Sequence, residues 1–282
     1  MLLDLTSVSA EDIDTMRIYV KLVEGIRDFF SRTGFEKAVL GASGGIDSSL
    51  VACLAAEALE PRNVMLVSMP SHFNPSSDHG DAQALARNLG VSLELVPIRD
   101  LHVAFMHTFL GARGLDTYDN SVTDENVQAR IRAVILMMYA NDLPGMVLNT
   151  CNRSEDEVGY CTQYGDSIGS LAPLGKLWKG QVYELAHFIN KYGNAPIPQS
   201  VIDKPPSAGL REGQLDTDEL PPYPVLDGIL QLVLSHLPQD IPSVAAIVDN
   251  VEGATEEIVR KVLRLHASSQ WKRDQAPPAI EV

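Results

Sequence analysis

Residues 38–49, Ala38-Val39-Leu40-Gly41-Ala42-Ser43-Gly44-Gly45-Ile46-Asp47-Ser48-Ser49, decide the fold. Ala38 to Gly41 is a short apolar strand, Ala42 to Gly45 a glycine-rich turn, and Asp47 to Leu59 carries a helical pattern. A strand that runs through glycines into a helix offers an anion unpaired amides and the positive end of the helix dipole. The glycines let the backbone approach a ligand closely. Ser43, Ser48 and Ser49 add hydroxyls, and Asp47 adds a carboxylate of the kind that holds Mg2+. No lysine completes the turn as in GxxxxGK[ST], so this is a different phosphate loop.

Outward from this turn, the pattern alternates. An amphipathic helix over Glu11–Phe30 precedes it. Strands follow at Val64–Met69, Leu93–Ile98 and Met146–Leu148, with helices at Asp81–Leu89, Leu101–Leu110 and Thr123–Ala140. Continuously apolar strands alternating with helices predict a parallel, doubly wound α/β sheet with helices on both faces. Residues 195–224 are rich in proline and read as a long loop that orders on binding. Helical patterns return at Val225–Leu237 and Thr255–Ser268, before a basic-polar tail from Trp271 to Val282.

The bulk properties exclude several classes. The 282 residues hold 22 Lys+Arg against 37 Asp+Glu, a net charge of −15, which speaks against a nucleic-acid partner. No apolar run reaches the roughly 18–20 residues of a membrane span, and Met1 to Asp12 lacks a signal-peptide layout. Cys53, Cys151 and Cys161 form neither CxxC nor an even framework, which fits a reducing, cytoplasmic setting. The seven histidines show no metal-binding spacing.

Three later segments accompany Ser43-Gly44-Gly45-Ile46-Asp47-Ser48. They are Glu125-Asn126-Val127-Gln128-Ala129-Arg130-Ile131-Arg132, the run Asn149 to Asp166, and Lys204-Pro205-Pro206-Ser207-Ala208-Gly209-Leu210 with Gln214, Asp216 and Pro222-Tyr223. Together they resemble the NAD synthetases of the N-type ATP pyrophosphatase superfamily from about residue 12 to Pro278. The likeness is to the synthetase domain of the glutamine-dependent branch, whose C-terminal Lys-Arg and Ala-Pro-Pro look like Lys272-Arg273 and Ala276-Pro277-Pro278. The resemblance implies an adenine nucleotide alpha hydrolase-like fold in one synthetase domain over 1–282. That domain divides into a core over about 12–194, a Pro-rich active-site loop over about 195–224, and C-terminal helices and tail over 225–282.

It also implies a reaction: ATP adenylates the nicotinate carboxylate of deamido-NAD, pyrophosphate leaves, and ammonia displaces AMP to give NAD. By that resemblance Gly41, Ala42, Ser43, Gly44, Gly45, Ile46, Asp47 and Ser48, with Thr150, Lys179 and Ser207, bind ATP. Asp47 and Glu155 hold Mg2+. Arg130, Gln163 and Lys272 meet the dinucleotide, and Asp166 lies by the ammonium site. Asp47, Lys179 and Asp166 form the catalytic set. Arg132 reads nearly as well as a solvated helix charge.

The rival readings are another amide-forming ATP pyrophosphatase resembling GMP synthetase, and a non-catalytic nucleotide sensor. The broad apolar face of residues 123–140 (Val127, Ile131, Val134, Ile135, Met137, Met138) predicts a homodimer. Only a short segment precedes Glu11, so the expectation is that the chain uses free ammonia or receives it from a separate glutaminase subunit.

Overall fold

The computed structural model describes residues 3–117, 121–236 and 240–282. Strands β1 (Lys37–Gly41), β2 (Val64–Ser68), β3 (Ser92–Leu95) and β4 (Gly145–Val147) form one parallel sheet in the order β3-β2-β1-β4. Parallel bridges Leu148–Leu171 and Ala172–Ala279 carry the pairing beyond β4. The chain builds outward from β1 through β2 to β3, then returns to add β4 on the other side of β1. The order therefore reverses between β1 and β4, and in such sheets ligands bind in the crevice outside the strand ends at that reversal.

Both faces are covered. Ala38 and Leu40 of β1 and Leu66 of β2 enter a core with α1 (Ile13–Thr33), α2 (Ile46–Leu59), α3 (Ser76–Leu89) and α7 (Lys179–Tyr192). Val39 and Val67 point the other way, onto Ile131, Ile135 and Leu136 of α5 (Ser121–Asp142), against which α4 (Arg99–Arg113) packs. Helix α2 is buried on every side from Leu50 to Ala56, which explains its lack of a polar face. A further core joins α6 (Arg153–Val158) to α9 (Tyr223–Leu234), α10 (Val244–Asn250) and α11 (Glu256–Ser268). Among the described residues no helix is long and apolar enough to cross a membrane.

One expectation needs correction. The Pro-rich stretch is no uniform loop: α8 (Gln199–Asp203) and a 3-10 turn, Asp216–Asp218, interrupt it, started at Pro198 and Leu215. The tail beyond α11 packs onto the body of the protein. Gln270–Arg273 forms α12, and Ile280 is buried against Gly25 of α1. The expected end of the 225–237 helix lies outside the described residues; the helix itself runs over Tyr223–Leu234.

Candidate active site

The crevice between β1 and β4 opens into a cavity of about 610 Å3. Its floor is the turn from Gly41 to Ser48. Gly44 adopts φ +78°, and a Cβ there would stand 2.5 Å from the Asp78 carbonyl oxygen, so only glycine fits this approach of the turn to α3. Gly45 precedes α2 without a side chain to cap it, which leaves the first-turn amides facing the cavity mouth for an anion. The serines brace the turn: Ser48 Oγ and Ser49 Oγ donate to the Gly45 carbonyl at 3.1 and 2.8 Å, and Gly45 N donates to Ser43 Oγ at 3.2 Å.

Next to this cradle, Asp47, Glu155 and Lys179 converge from three elements. Lys179 Nζ donates to Asp47 Oδ2 at 2.6 Å and to Glu155 Oε1 at 3.0 Å, with its side chain only 2% exposed. Burial by itself pushes the ammonium toward neutrality, but the two carboxylates outweigh it and hold Lys179 protonated. Burial lifts the Glu155 carboxyl above the usual range, and Lys179 offsets this only in part. Asn152 positions both acids: its Nδ2 donates to Asp47 Oδ1 at 2.8 Å, and its Oδ1 accepts from Glu155 N in a capping box that starts α6.

A residue that sequence reasoning passed over sits behind this group. Asp227 is buried on α9, accepts from Ser154 Oγ, and takes Gly180 N at 3.4 Å, while Ser154 Oγ accepts from Lys179 N at 2.9 Å. It thereby ties the starts of α6 and α7 together. An aspartate in the apolar run 225–234 was the available signal.

Two carboxylates aimed at one point already occupied by a cationic nitrogen suit a hard divalent cation. Mg2+ typically takes one or two carboxylates and completes its shell with phosphate oxygens and water. Among the described residues no group of three or more His, Cys, Asp or Glu could hold a metal alone; Asp47 and Glu155, two carboxylates on the cavity wall, match in kind the donors that Mg2+ takes.

The other expected positions fall into two sets. Thr150, Ser207 and Asp166 line the same cavity. The Ser207 hydroxyl donates to the Gln214 carbonyl and thus closes its own loop. Asp166 Oδ1 accepts from Thr162 N at 2.6 Å, and enclosure by protein raises its carboxyl. Arg130, Gln163 and Lys272 lie outside the cavity lining. Exposed Arg130 donates Nε to the Gln163 carbonyl at 3.2 Å, and Lys272 Nζ donates to the carbonyls of Gly159 and Cys161 at 2.7 and 2.6 Å.

Over the cavity, residues 204–216 make a strap. Lys204 Nζ donates to the Gly44 carbonyl at 3.1 Å and pairs with Asp78 and Asp81 at 2.6 and 3.0 Å. Asn74 Nδ2 donates to the Gly209 carbonyl, and Gln128 Nε2 to that of Leu210.

Comparison with known proteins agrees with this architecture. The NAD synthase family model matches residues 18–276. The glutamine-dependent NAD(+) synthetases of Aquifex aeolicus and Synechocystis sp. are each 44% identical, over 262 and 274 residues, covering 92% and 96% of this chain. The chain spans 44% and 47% of those relatives, about half their length. The NMN synthetase structure from Francisella tularensis superposes with a TM-score of 0.76 at 29% identity, covering 92% of this chain and 95% of that one. With the family pattern matched from α1 to beyond α12, and the fold shared with a solved relative, the chain belongs to the NAD synthase family.

Proposed function

We propose that the chain is a ligase that amidates the nicotinate carboxylate of deamido-NAD to give NAD, using ATP and ammonia. The observation that carries this reading is the convergence of Asp47, Glu155 and Lys179 beside the uncapped amides of α2. A carboxylate is a poor electrophile, and transfer to an adenylyl group supplies a leaving group. The carboxylate oxygen attacks the α-phosphorus as the bond to pyrophosphate breaks. The residue 43–49 turn and Lys179 then neutralise the departing pyrophosphate. When bound, Mg2+ held by Asp47 and Glu155 would screen the phosphate charge. Ammonia next forms the C–N bond as the acyl C–O bond breaks and AMP leaves with the electron pair; Asp166, whose carboxyl is raised by enclosure, takes the proton released by nitrogen.

Incubation with MgATP, ammonium and either deamido-NAD or nicotinate mononucleotide tests this, the latter because the Francisella relative is named for NMN. We expect NAD, AMP and pyrophosphate from deamido-NAD. ADP and phosphate as products, or turnover only with the mononucleotide, would overturn the reading. A parallel incubation with glutamine in place of ammonium asks for the nitrogen source. We expect ammonium to serve the isolated chain, with glutamine requiring a glutaminase subunit or domain.

A homodimer and a cytoplasmic setting complete the proposal. The apolar residues of α5 split between two directions: Ile131 and Ile135 enter the sheet core, whereas Val134 and Met138 are 57% and 64% exposed. Leu101, Val103 and Phe105 of α4, the helix packed against α5, are exposed as well. Arg130 lies on α5 and its Nε donates to the Gln163 carbonyl, so a second copy packed there would enclose the expected dinucleotide contacts. Light scattering should give about twice 30.7 kDa; a mass of one chain at micromolar concentration contradicts the dimer. Free, buried or half-buried thiols at Cys53, Cys151 and Cys161 fit reducing conditions.

A further inference from the structure

Four Lys or Arg side chains line the cavity: Arg132, Lys179, Lys204 and Arg211. Three are committed to carboxylates of the protein. Lys179 pairs with Asp47 and Glu155, Lys204 with Asp78 and Asp81, and Arg211 with Glu125, Asp218 and Glu219. Of these four, Arg132 alone has no carboxylate of the described residues within ion-pair distance. Its Nε donates to the Met69 carbonyl at 3.0 Å and one terminal nitrogen donates to Asn74 Oδ1 at 3.2 Å. These two bonds fix the plane of the guanidinium, and the other terminal nitrogen makes no hydrogen bond to the described residues. Enclosure lowers its pKa to about 10, the Asp166 carboxylate opposes this from beyond ion-pair distance, and the charge survives at neutral pH. An enclosed cation with no carboxylate in contact is costly, and a ligand anion would offset that cost.

Its position says which anion. Along α5, Ala129 lies one turn before Arg132 and packs where Gly165 would carry a Cβ, at 2.8 Å. Leu136 lies one turn after it and lies 3.7 Å from the Cβ position of Gly41, where β1 enters the phosphate turn. Arg132 thus stands between the pyrophosphate cradle and the Gly165-Asp166 turn. In the proposed reaction the atom between those two points is the α-phosphorus. We propose that Arg132 is a catalytic residue that binds the α-phosphate of ATP and then of AMP. In the first step it draws charge from the α-phosphoryl oxygens as the carboxylate oxygen bonds to phosphorus and the bond to pyrophosphate breaks. In the second, nitrogen bonds to the acyl carbon, the C–O bond breaks, and Arg132 stabilises the charge that AMP carries away. The planar fork suits a phosphate better than an ammonium does.

This assignment rests on the amidation reading above, and the experiment separates the two. Calorimetry compares binding of AMP and of adenosine to the wild-type chain and to Arg132→Gln and Arg132→Lys, with melting curves for each. Wild type should prefer AMP. Arg132→Gln should lose at least roughly tenfold in AMP affinity with adenosine unchanged, and Arg132→Lys should lie between. Pyrophosphate binding should be unaffected, since that subsite is the turn. A role limited to bracing Met69 and Asn74 would weaken adenosine and AMP alike, and that result overturns the assignment, as does an unchanged AMP affinity. If Arg132→Gln does not fold, the Arg132→Lys comparison decides by the same criterion. Deamido-NAD-dependent pyrophosphate release by wild type is scored separately: its absence sinks the amidation reading, whereas its presence with full kcat in the Arg132 variants sinks only this one.

Discussion

Lys179→Met is expected to cost both folding stability and nearly all turnover. The ammonium it removes is the shared partner of Asp47 and Glu155, so the variant leaves two enclosed carboxylates facing each other across an apolar methyl. Breaking a buried ion pair from one side typically costs about 3–5 kcal/mol, which for a chain of this size lowers the melting temperature by roughly 10 °C. Turnover should fall by about 10²–10³-fold through loss of the charge facing pyrophosphate. A melting curve and a pyrophosphate-release assay on the same sample check both. A variant that melts with wild type would mean that the carboxylates find another partner, and that the three-way ion pair does not hold α2, α6 and α7 together.

Asp47→Asn separates chemistry from folding. The amide has the shape of the carboxylate and Glu155 still accepts from Lys179, but one oxygen now serves only one of the two donors, Asn152 Nδ2 or Lys179 Nζ. Stability should therefore fall by about 1–3 kcal/mol, the cost of one unmade buried hydrogen bond, less than for Lys179→Met. The rate should still drop by about 10²–10³-fold, because charge placed against the phosphates is worth most in the transition state. The check is kcat at saturating MgATP alongside a melting curve. A rate near that of wild type would remove Asp47 from the reacting centre.

Much of the sheet was legible because its strands obey local rules: each is short, β1, β2 and β4 are largely apolar while β3 alternates, and β1 to β4 lie within a few residues of the expected segments. The phosphate turn was legible for the same reason, since its glycines serve one backbone conformation. Long-range pairing left no local trace. Arg132 looks like any helix arginine until α5 is seen to press it against Met69 and Asn74. Lys179 taken by itself reads as a surface lysine, and only the resemblance gives it a phosphate to bind, yet it is among the most buried of the described side chains. Lys272 carries the motif that pointed to the dinucleotide, but its ammonium turns onto backbone carbonyls. Helix α10 went unseen because its seven residues span barely two turns, too few for a periodicity to register.

The pairing that continues past β4 has a consequence for how the molecule behaves in a crowded solution. A parallel sheet ending at a three-residue strand would present open amides and carbonyls to any extended segment that drifted by. Here the Val147 carbonyl accepts from Ser170 N at 2.8 Å, Asn149 N donates to the Leu171 carbonyl at 2.9 Å, Ala172 N donates onward to the Pro278 carbonyl at 2.9 Å, and Ile280 anchors that segment under α1. That flank is sealed by the chain itself, so edge-to-edge self-association is blocked there and the sheet's growth stops within one molecule.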